Sequence, residues 1–181
     1  MLSVPPLPRK LLTLALIVRD GVATRGDGMQ VLLGLKKRGF GMGKWNGFGG
    51  KVEPTDASIV ATAAREVQEE ANVTVKAEHL QSRGVLLFSF EEGKEVMEVH
   101  VFLTRQFSGE PSESDEMKPQ WFDAADIPYK SMWADDFIWL PHVLGGKSVQ
   151  GHFRFAADED TLLDHELEVS SPTVERAGVY R

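Results

Sequence analysis

The chain has 181 residues, a formal net charge of −7 and no cysteine. Its length fits one domain with a sizeable core. The acidic balance argues against a protein that tracks a polymeric nucleic-acid backbone, because such a protein needs a basic face. Without cysteine there is neither a disulfide framework nor thiol chemistry.

Residues 1–10 contain three prolines and two basic residues, so this N-terminal extension does not resemble a targeting signal. The longest apolar run, 11–18, is too short to cross a membrane and predicts a buried strand. We expect one domain over 11–169, a loose tail over 170–181, and a monomer in the cytosol.

Two segments have the composition of helices. Residues 57–71 lack glycine and proline, and a second helix is predicted within 134–144, interrupted by Pro141. Residues 20–28 contain the Asp-Gly pairs of a turn. Apolar and alternating runs predict strands at 11–18, 31–35, 73–76, 84–90, 95–103, 120–123, 151–155 and 162–169. The prediction is an α/β fold with a mixed sheet flanked by helices.

Three glutamates lie on one face of the first predicted helix. Glu66, Glu69 and Glu70 are three and four positions apart, and Arg65 can pair with Glu69. Like charges this close repel each other unless a cation lies among them, and Mg2+ binds through a few carboxylates plus substrate phosphates. The alternative is a solvated acidic face. The opposite face is an apolar stripe of Ile59, Ala63, Val67 and Ala71.

A glycine-rich loop precedes this helix. Residues 39–50 contain six glycines in twelve positions. A P-loop is excluded, because Lys44 is followed by Trp45 where that motif needs Ser or Thr. The glycines instead let the backbone approach phosphates and a metal ion closely.

The segment 50–73 resembles the Nudix box, G-x5-E-x7-R-E-U-x-E-E-x-G-U with U aliphatic, and its R-E-U-x-E-E core begins at Arg65. One residue is inserted before Arg65, so the first Glu of the box falls on Asp56 or on Ala57. The last Gly of the box is Asn72, the next-best residue for a left-handed conformation. The resemblance implies a Nudix hydrolase with an α/β/α sandwich around a mixed sheet.

Segments 36–52, 97–102, 113–117 and 132–139 are similar to those of the eukaryotic MutT homologues within this family. These enzymes hydrolyse oxidised purine nucleoside triphosphates, such as 8-oxo-dGTP and 2-hydroxy-dATP, to the monophosphate and pyrophosphate. The resemblance implies a small nucleotide as the partner, Mg2+ or Mn2+ as the cofactor, and neither a polymeric nucleic acid nor a membrane. It implies a role in cleansing the nucleotide pool of the cytoplasm, with the nuclear and mitochondrial pools as alternatives.

The resemblance also assigns the site residue by residue. The catalytic residues are Arg65, Glu66, Glu69 and Glu70, and the metal ligands are the carbonyl of Gly49 together with Glu66, Glu69, Glu70 and Glu116. The substrate-binding residues are Thr13, Lys36, Phe40, Asn46, Phe48, Gly49, Gly50, Lys51, Phe88, Met117, Trp133, Asp135, Asp136 and Trp139, with Phe90 and Met97 as further apolar walls.

In the similar enzymes two adjacent aspartates hydrogen-bond the edge of the purine, so the resemblance implies that Asp135 and Asp136 recognise the base. An aspartate accepts hydrogen bonds when ionised and donates one when protonated. Two adjacent carboxyls in an apolar pocket do not both ionise easily, so one should hold a proton near neutral pH. Moving that proton between the two would let one pocket read two differently oxidised purines.

Two other functions remain open. One is a Nudix hydrolase for other substrates: ordinary (d)NTPs, methylated purine nucleotides or dinucleoside polyphosphates. The other is a domain that binds nucleotides without hydrolysing them, which the residue inserted before Arg65 keeps open. The histidines show no mutual ligand spacing, and His100 is expected to be a structural hydrogen-bonding residue.

Overall fold

The computed structural model describes residues 2–21 and 28–172. Two α-helices, α1 (Ile59–Ala71) and α2 (Asp136–Leu144), accompany short 3-10 helices at Ala77–His79, Ala124–Asp126 and Tyr129–Ser131. The strands are β1 (Arg9–Asp20), β2 (Met29–Lys36), β3 (Trp45–Asn46), β4 (Gln81–Phe90), β5 (Val96–Thr104), β6 (Met117–Asp123), β7 (Ser148–Phe155) and β8 (Leu162–Ser170). The predicted turn at 20–28 and the predicted tail lie largely outside the described residues.

The strands form one mixed sheet in the order β3-β2-β1-β5-β4-β7-β8, and β6 pairs with β2. The β1–β5 and β4–β7 pairs are parallel, and the remaining pairs are antiparallel. This arrangement confirms the predicted α/β fold with its mixed sheet, and β4 and β5 form an antiparallel hairpin.

The first half of β1 holds the glycine-rich loop through backbone hydrogen bonds. β1 pairs with β2 only through its second half, from Ile17 to Asp20. Its first half is therefore free to pair with the loop: the Thr13 amide donates to the Gly50 carbonyl at 2.9 Å, and the Ala15 amide donates to the Phe48 carbonyl at 2.6 Å. The loop thus runs beside the sheet, next to α1.

The sheet separates two apolar layers. On one side α1 buries Ala63, Val67 and Ala71 against β1, β2 and β5, as the predicted stripe requires. On the other side α2 packs Trp139 and Leu140 against β1, β4, β5 and β7. None of the helices in the described ranges is long and apolar enough to cross a membrane.

The structure corrects three predictions. Residues 73–76 do not form a strand, because only a single bridge from Thr74 to Ser108 joins them to other backbone. α1 begins at Ile59 rather than at residue 57. α2 continues through Pro141, which costs one hydrogen bond, and the Gly145 amide donates to the Pro141 carbonyl at 3.0 Å.

Candidate active site

Both ends of the acidic helix α1 are capped by its own sequence. The Ser58 hydroxyl accepts a hydrogen bond from the Ala61 amide at 3.1 Å, which starts the helix at Ile59. At the other end Asn72 adopts a left-handed conformation with φ of 57°, and its amide donates to the Gln68 carbonyl. This confirms that Asn72 can stand where the Nudix box has glycine.

The side chain of Glu70 lies between the backbone of α1 and the glycine-rich loop, and the residue is only 4% exposed. Its Oε1 accepts a hydrogen bond from the Gly49 amide at 2.8 Å. Burial raises the pKa of Glu70 to about 7, and the nearby carboxyls of Glu66 and Glu116 add to this effect. The three helix glutamates therefore differ in environment: Glu70 is buried and Glu69 is more than half exposed.

Arg65 joins the helix to the loop that precedes it. Its Nε donates to Asp56 Oδ1 at 2.8 Å and its Nη2 donates to Asp56 Oδ2 at 2.9 Å. The pKa of Asp56 is well below its usual range because of this pair and because the Glu53 amide and the Thr62 hydroxyl donate to it. Of the two candidates for the first Glu of the box, Asp56 is thus the one whose carboxylate contacts Arg65.

The carboxylates that face the loop are paired with cations. Arg65 Nη1 lies 3.0 Å from Glu66 Oε1 and 3.2 Å from Glu69 Oε1. Glu116 accepts hydrogen bonds from Arg38, and Lys36 Nζ is 3.3 Å from its other oxygen. Within the described ranges, no three Asp, Glu or His side chains are grouped closely enough to hold a metal ion.

The donors nevertheless suit a hard cation. Glu70 is a buried carboxyl with two further carboxyls near it, and a nearby positive ion would lower its raised pKa. Gly50 lies against Glu66, since a Cβ there would collide with its carboxylate. Carboxylate and carbonyl oxygens are the ligands that Mg2+ and Mn2+ prefer. The residues present therefore fit a divalent metal, once Glu116, Glu66 and Glu69 turn away from their arginine partners.

A cavity of about 570 Å³ extends from Glu70 to the aspartate pair. Its lining also contains Leu12, Phe90, Met97 and Phe155. The predicted site residues that line it are Thr13, Lys36, Phe40, Asn46, Gly49, Gly50, Glu70, Phe88, Met117, Trp133, Asp135, Asp136 and Trp139. The cavity thus joins the acidic helix to the predicted base pocket.

Six predicted site residues lie outside this lining. Phe48 is fully buried in the layer beneath α1, so its side chain is a core residue. Lys51 is exposed, and its carbonyl accepts a hydrogen bond from Arg65 at 3.4 Å. The other four are the charged residues Arg65, Glu66, Glu69 and Glu116.

The aspartate pair forms the floor of the predicted base pocket. Asp135 and Asp136 are each 3% exposed. Trp139 Nε1 donates to Asp135 Oδ2 at 2.7 Å, and the Trp133 amide donates to Asp136 Oδ2 at 3.2 Å. Burial raises the pKa of both carboxyls, and the charge of Asp135 raises that of Asp136 further. At least one of the two is therefore readily protonated near neutral pH.

The two tryptophans have different positions. Trp139 is 1% exposed, so it serves as core and as the hydrogen-bond donor to Asp135. Trp133 is only partly buried and stacks on the 48% exposed Phe40, with 4.9 Å between ring centroids. Trp133 and Phe40 line the cavity and are exposed enough for either ring to stack on a planar base.

Lys44 also lines the cavity, although the resemblance assigned it no role. Lys44 Nζ lies 5.0 Å from the centre of the Trp133 ring and 2.6 Å from Asp160 Oδ1. Its charge lowers the pKa of Asp136. The only sequence signal was its place in the glycine-rich loop. Thr13, which was assigned, has a buried hydroxyl without a hydrogen-bond partner among the described residues.

A sequence model of the NUDIX domain matches residues 16–143. A zebrafish (Danio rerio) protein named oxidized purine nucleoside triphosphate hydrolase is 48% identical over 88% of this chain and 94% of its own. The chain belongs to the Nudix hydrolase family. A mouse (Mus musculus) protein of the same name is 43% identical over 90% of this chain and 97% of its own.

Solved Nudix structures have the same fold. A MutT protein from Bacillus halodurans superposes with a TM-score of 0.73 at 29% identity, over 88% of this chain and 97% of that one. A MutT Nudix hydrolase from Burkholderia pseudomallei gives 0.56 at 28% identity, over 66% and 87%. Nudix hydrolases generally use a divalent metal ion, in keeping with the oxygen donors around Glu70.

Proposed function

We propose that this Nudix hydrolase cleaves oxidised purine nucleoside triphosphates, such as 8-oxo-dGTP and 2-hydroxy-dATP, to the monophosphate and pyrophosphate, with Mg2+ as the cofactor. The observation that carries this proposal is one cavity that is lined both by the buried aspartate pair and by Glu70. The zebrafish and mouse relatives are named for the same activity. The role is removal of damaged nucleotides before they enter DNA.

The metal would be held by Glu66, Glu69, Glu70 and Glu116 together with the carbonyl of Gly49. A bound divalent ion supplies charge neutralisation for the triphosphate and a lower pKa for water. The Gly49 amide holds Glu70 by one oxygen at 2.8 Å, which fixes the carboxyl against the loop. One carboxylate of this cluster accepts the proton of the attacking water, and Lys36, which lines the same end of the cavity, neutralises the phosphates.

Asp135 and Asp136 would read the edge of the base. In a pocket without water, two donors or two acceptors that face each other form no hydrogen bond. The polar group that is left buried and unpaired costs about 1–3 kcal/mol. Oxidation of a purine changes which ring positions donate and which accept. A pair that shares one proton can match such an edge and mismatch the ordinary base. Trp133 would stack on the ring.

A purely nucleotide-binding Nudix domain is disfavoured by the geometry of the loop. That alternative depended on the residue inserted before Arg65. The contacts between Arg65 and Asp56 at 2.8 and 2.9 Å tie the helix to the loop despite the insertion, which supports an intact box. Glu66, Glu69 and Glu70 keep their place on α1.

The test is pyrophosphate release from 8-oxo-dGTP, 2-hydroxy-dATP, dGTP, a methylated purine triphosphate and a dinucleoside polyphosphate, with Mg2+ and with EDTA. We expect metal-dependent turnover that favours the two oxidised purines. Preference for the dinucleoside polyphosphate would be compatible with metal binding by α1 but would contradict recognition of a single oxidised base by the aspartate pair. No turnover of any substrate, with nucleotide still bound, would leave a binding domain.

A further inference from the structure

Arg38 is a basic residue to which the assigned site gives no role. It lies between β2, which ends at Lys36, and the glycine-rich loop, two residues before Phe40. Its guanidinium donates twice to Glu116 Oε1, from Nη2 at 2.7 Å and from Nε at 3.0 Å. The side chain is 62% exposed, so burial does not hold it there. The contact with Glu116 holds the guanidinium in place.

Glu116 is tied to the acidic helix by its own loop. Ser114 Oγ donates to the Glu70 carbonyl at 2.8 Å and accepts from the Met117 amide at 3.1 Å. The Lys37 amide donates to the Glu116 carbonyl at 2.8 Å. The backbone therefore holds Glu116 beside Glu70, while its carboxylate is satisfied by Arg38 on one oxygen and Lys36 on the other.

A cation at Glu116 must displace at least one of these partners. Lys36 lines the cavity and approaches Glu116 at 3.3 Å, whereas Arg38 lies outside the lining and makes the shorter, two-donor contact. An exposed ion pair stabilises little and can be exchanged readily. Once released, the guanidinium remains next to the end of the cavity where the triphosphate would lie. Its planar fork suits two phosphate oxygens.

We propose that Arg38 is a substrate-positioning residue that exchanges Glu116 for the terminal phosphates of the substrate. In the metal-free protein Arg38 occupies the carboxylate that a metal ion would take. When Glu116 turns to the metal, Arg38 is freed to hold the phosphate groups that leave as pyrophosphate. Metal binding and phosphate binding are thus coupled through one ion pair. The phosphate half of this inference rests on the function proposed above; the exchange at Glu116 does not.

Lys37 provides a matched control. It carries the same charge and is adjacent in sequence, but its Nζ pairs with Glu113 at 2.9 Å and with the Ser114 carbonyl at 2.8 Å rather than with the Glu116 carboxylate. Arg38→Gln and Lys37→Gln each remove one positive charge from the same segment. A difference between them reports the contact with Glu116 and not the general electrostatic field.

The first measurement is the affinity of the nucleotide-free protein for Mn2+. Electron paramagnetic resonance detects the Mn2+ that stays free in solution. We expect Arg38→Gln to bind Mn2+ about threefold more tightly than wild type, because the competing ion pair is gone, and Lys37→Gln to change affinity less. Equal changes in the two variants, or no gain in Arg38→Gln, would overturn the exchange. This measurement needs no substrate, so it is independent of the proposed reaction.

The second measurement is pyrophosphate binding to the Mn2+-loaded protein by titration calorimetry, with the steady-state constants for 8-oxo-dGTP beside it. We expect Arg38→Gln to weaken pyrophosphate binding about tenfold and to raise KM with little change in kcat, and Arg38→Lys to fall between. Unchanged pyrophosphate affinity would overturn the positioning role. Failure of the proposed function would appear differently, as no turnover of oxidised purines by any variant.

Discussion

Replacing Asp135 by asparagine should stabilise the free protein at neutral pH. Burial raises the pKa of Asp135 to about 6, against about 3.9 for an aspartate in an unfolded chain. The folded state therefore binds more protons than the unfolded state between these values, and stability falls as pH rises through that window. Two pKa units correspond to about 3 kcal/mol. That is the upper estimate of what Asp135→Asn recovers at pH 7.

The amide of the variant can keep the essential contact. Its oxygen can accept the hydrogen bond from Trp139 Nε1, now 2.7 Å from Asp135 Oδ2. Below about pH 4 Asp135 is protonated in both states of wild type, so the advantage of the variant should vanish there. The same change should lower kcat/KM for oxidised purines by about ten- to hundredfold, because a hydrogen bond in a dry site is worth about 1–3 kcal/mol.

Urea unfolding of the metal-free protein at pH 4, 5, 6 and 7 measures this directly. Asp164→Asn is the control, since Asp164 is exposed on β8 and does not line the cavity. We expect a gap between Asp135→Asn and wild type that opens with pH, and no such gap for the control. A variant that is equally or less stable than wild type at pH 7 would refute the argument from burial.

Three further changes have defined outcomes. Glu70→Gln keeps an acceptor for the Gly49 amide, so it should fold normally yet lose about 10²-fold or more in metal-dependent turnover, as compared by thermal unfolding and by pyrophosphate release. Asp56→Asn should lower the free energy of unfolding at pH 7. Because the folded-state pKa of Asp56 is depressed, this stabilisation exists above about pH 4 and is lost on acidification, so urea curves of variant and wild type should converge toward pH 2; a constant gap would contradict it. Trp133→Ala should raise KM about ten- to hundredfold for oxidised and ordinary purines alike, since stacking is worth about 1–3 kcal/mol per base; an effect on one base only would contradict a stacking role.

Much of the fold could be predicted because local patterns and tertiary packing agree. The apolar stripe of α1 and the alternation of β7 and β8 were visible in the chain, and both elements are present. Residues 73–76 were wrongly predicted as a strand. Val73 and Val75 are apolar because they pack in the core beneath α1, and the segment does not pair with the sheet. Two-residue β3 has too short a pattern to detect.

The site divides in the same way. Helical spacing predicts that Glu66, Glu69 and Glu70 share one face of α1. The burial of Glu70 depends instead on the glycine-rich loop, whose Gly49 amide contacts its carboxylate, and no local sequence pattern encodes that contact. The register of the loop was open between Asp56 and Ala57, and only the tertiary contact with Arg65 decides it. The resemblance placed Phe48 in the substrate pocket, but its ring points into the core layer beneath α1.

The electrostatic partners were the least predictable part. Lys44 meets Asp160 across 116 positions of sequence, and Arg38 meets Glu116 across 78. Such pairs depend on how loops from separate strands approach one another. Within the basic segment 36–38, only Lys36 was predicted to contact the substrate.

The specificity ratio between 8-oxo-dGTP and dGTP, in wild type and in Asp136→Asn, tests the reading of the base most directly. Asp136 is 3% exposed, and its Oδ2 accepts the Trp133 amide at 3.2 Å. If the buried pair recognises the oxidised edge, the ratio of kcat/KM values should favour 8-oxo-dGTP in wild type and fall about tenfold or more in the variant. Glu70→Gln should reduce both substrates equally. A ratio that Asp136→Asn leaves unchanged would contradict base recognition by the aspartate pair.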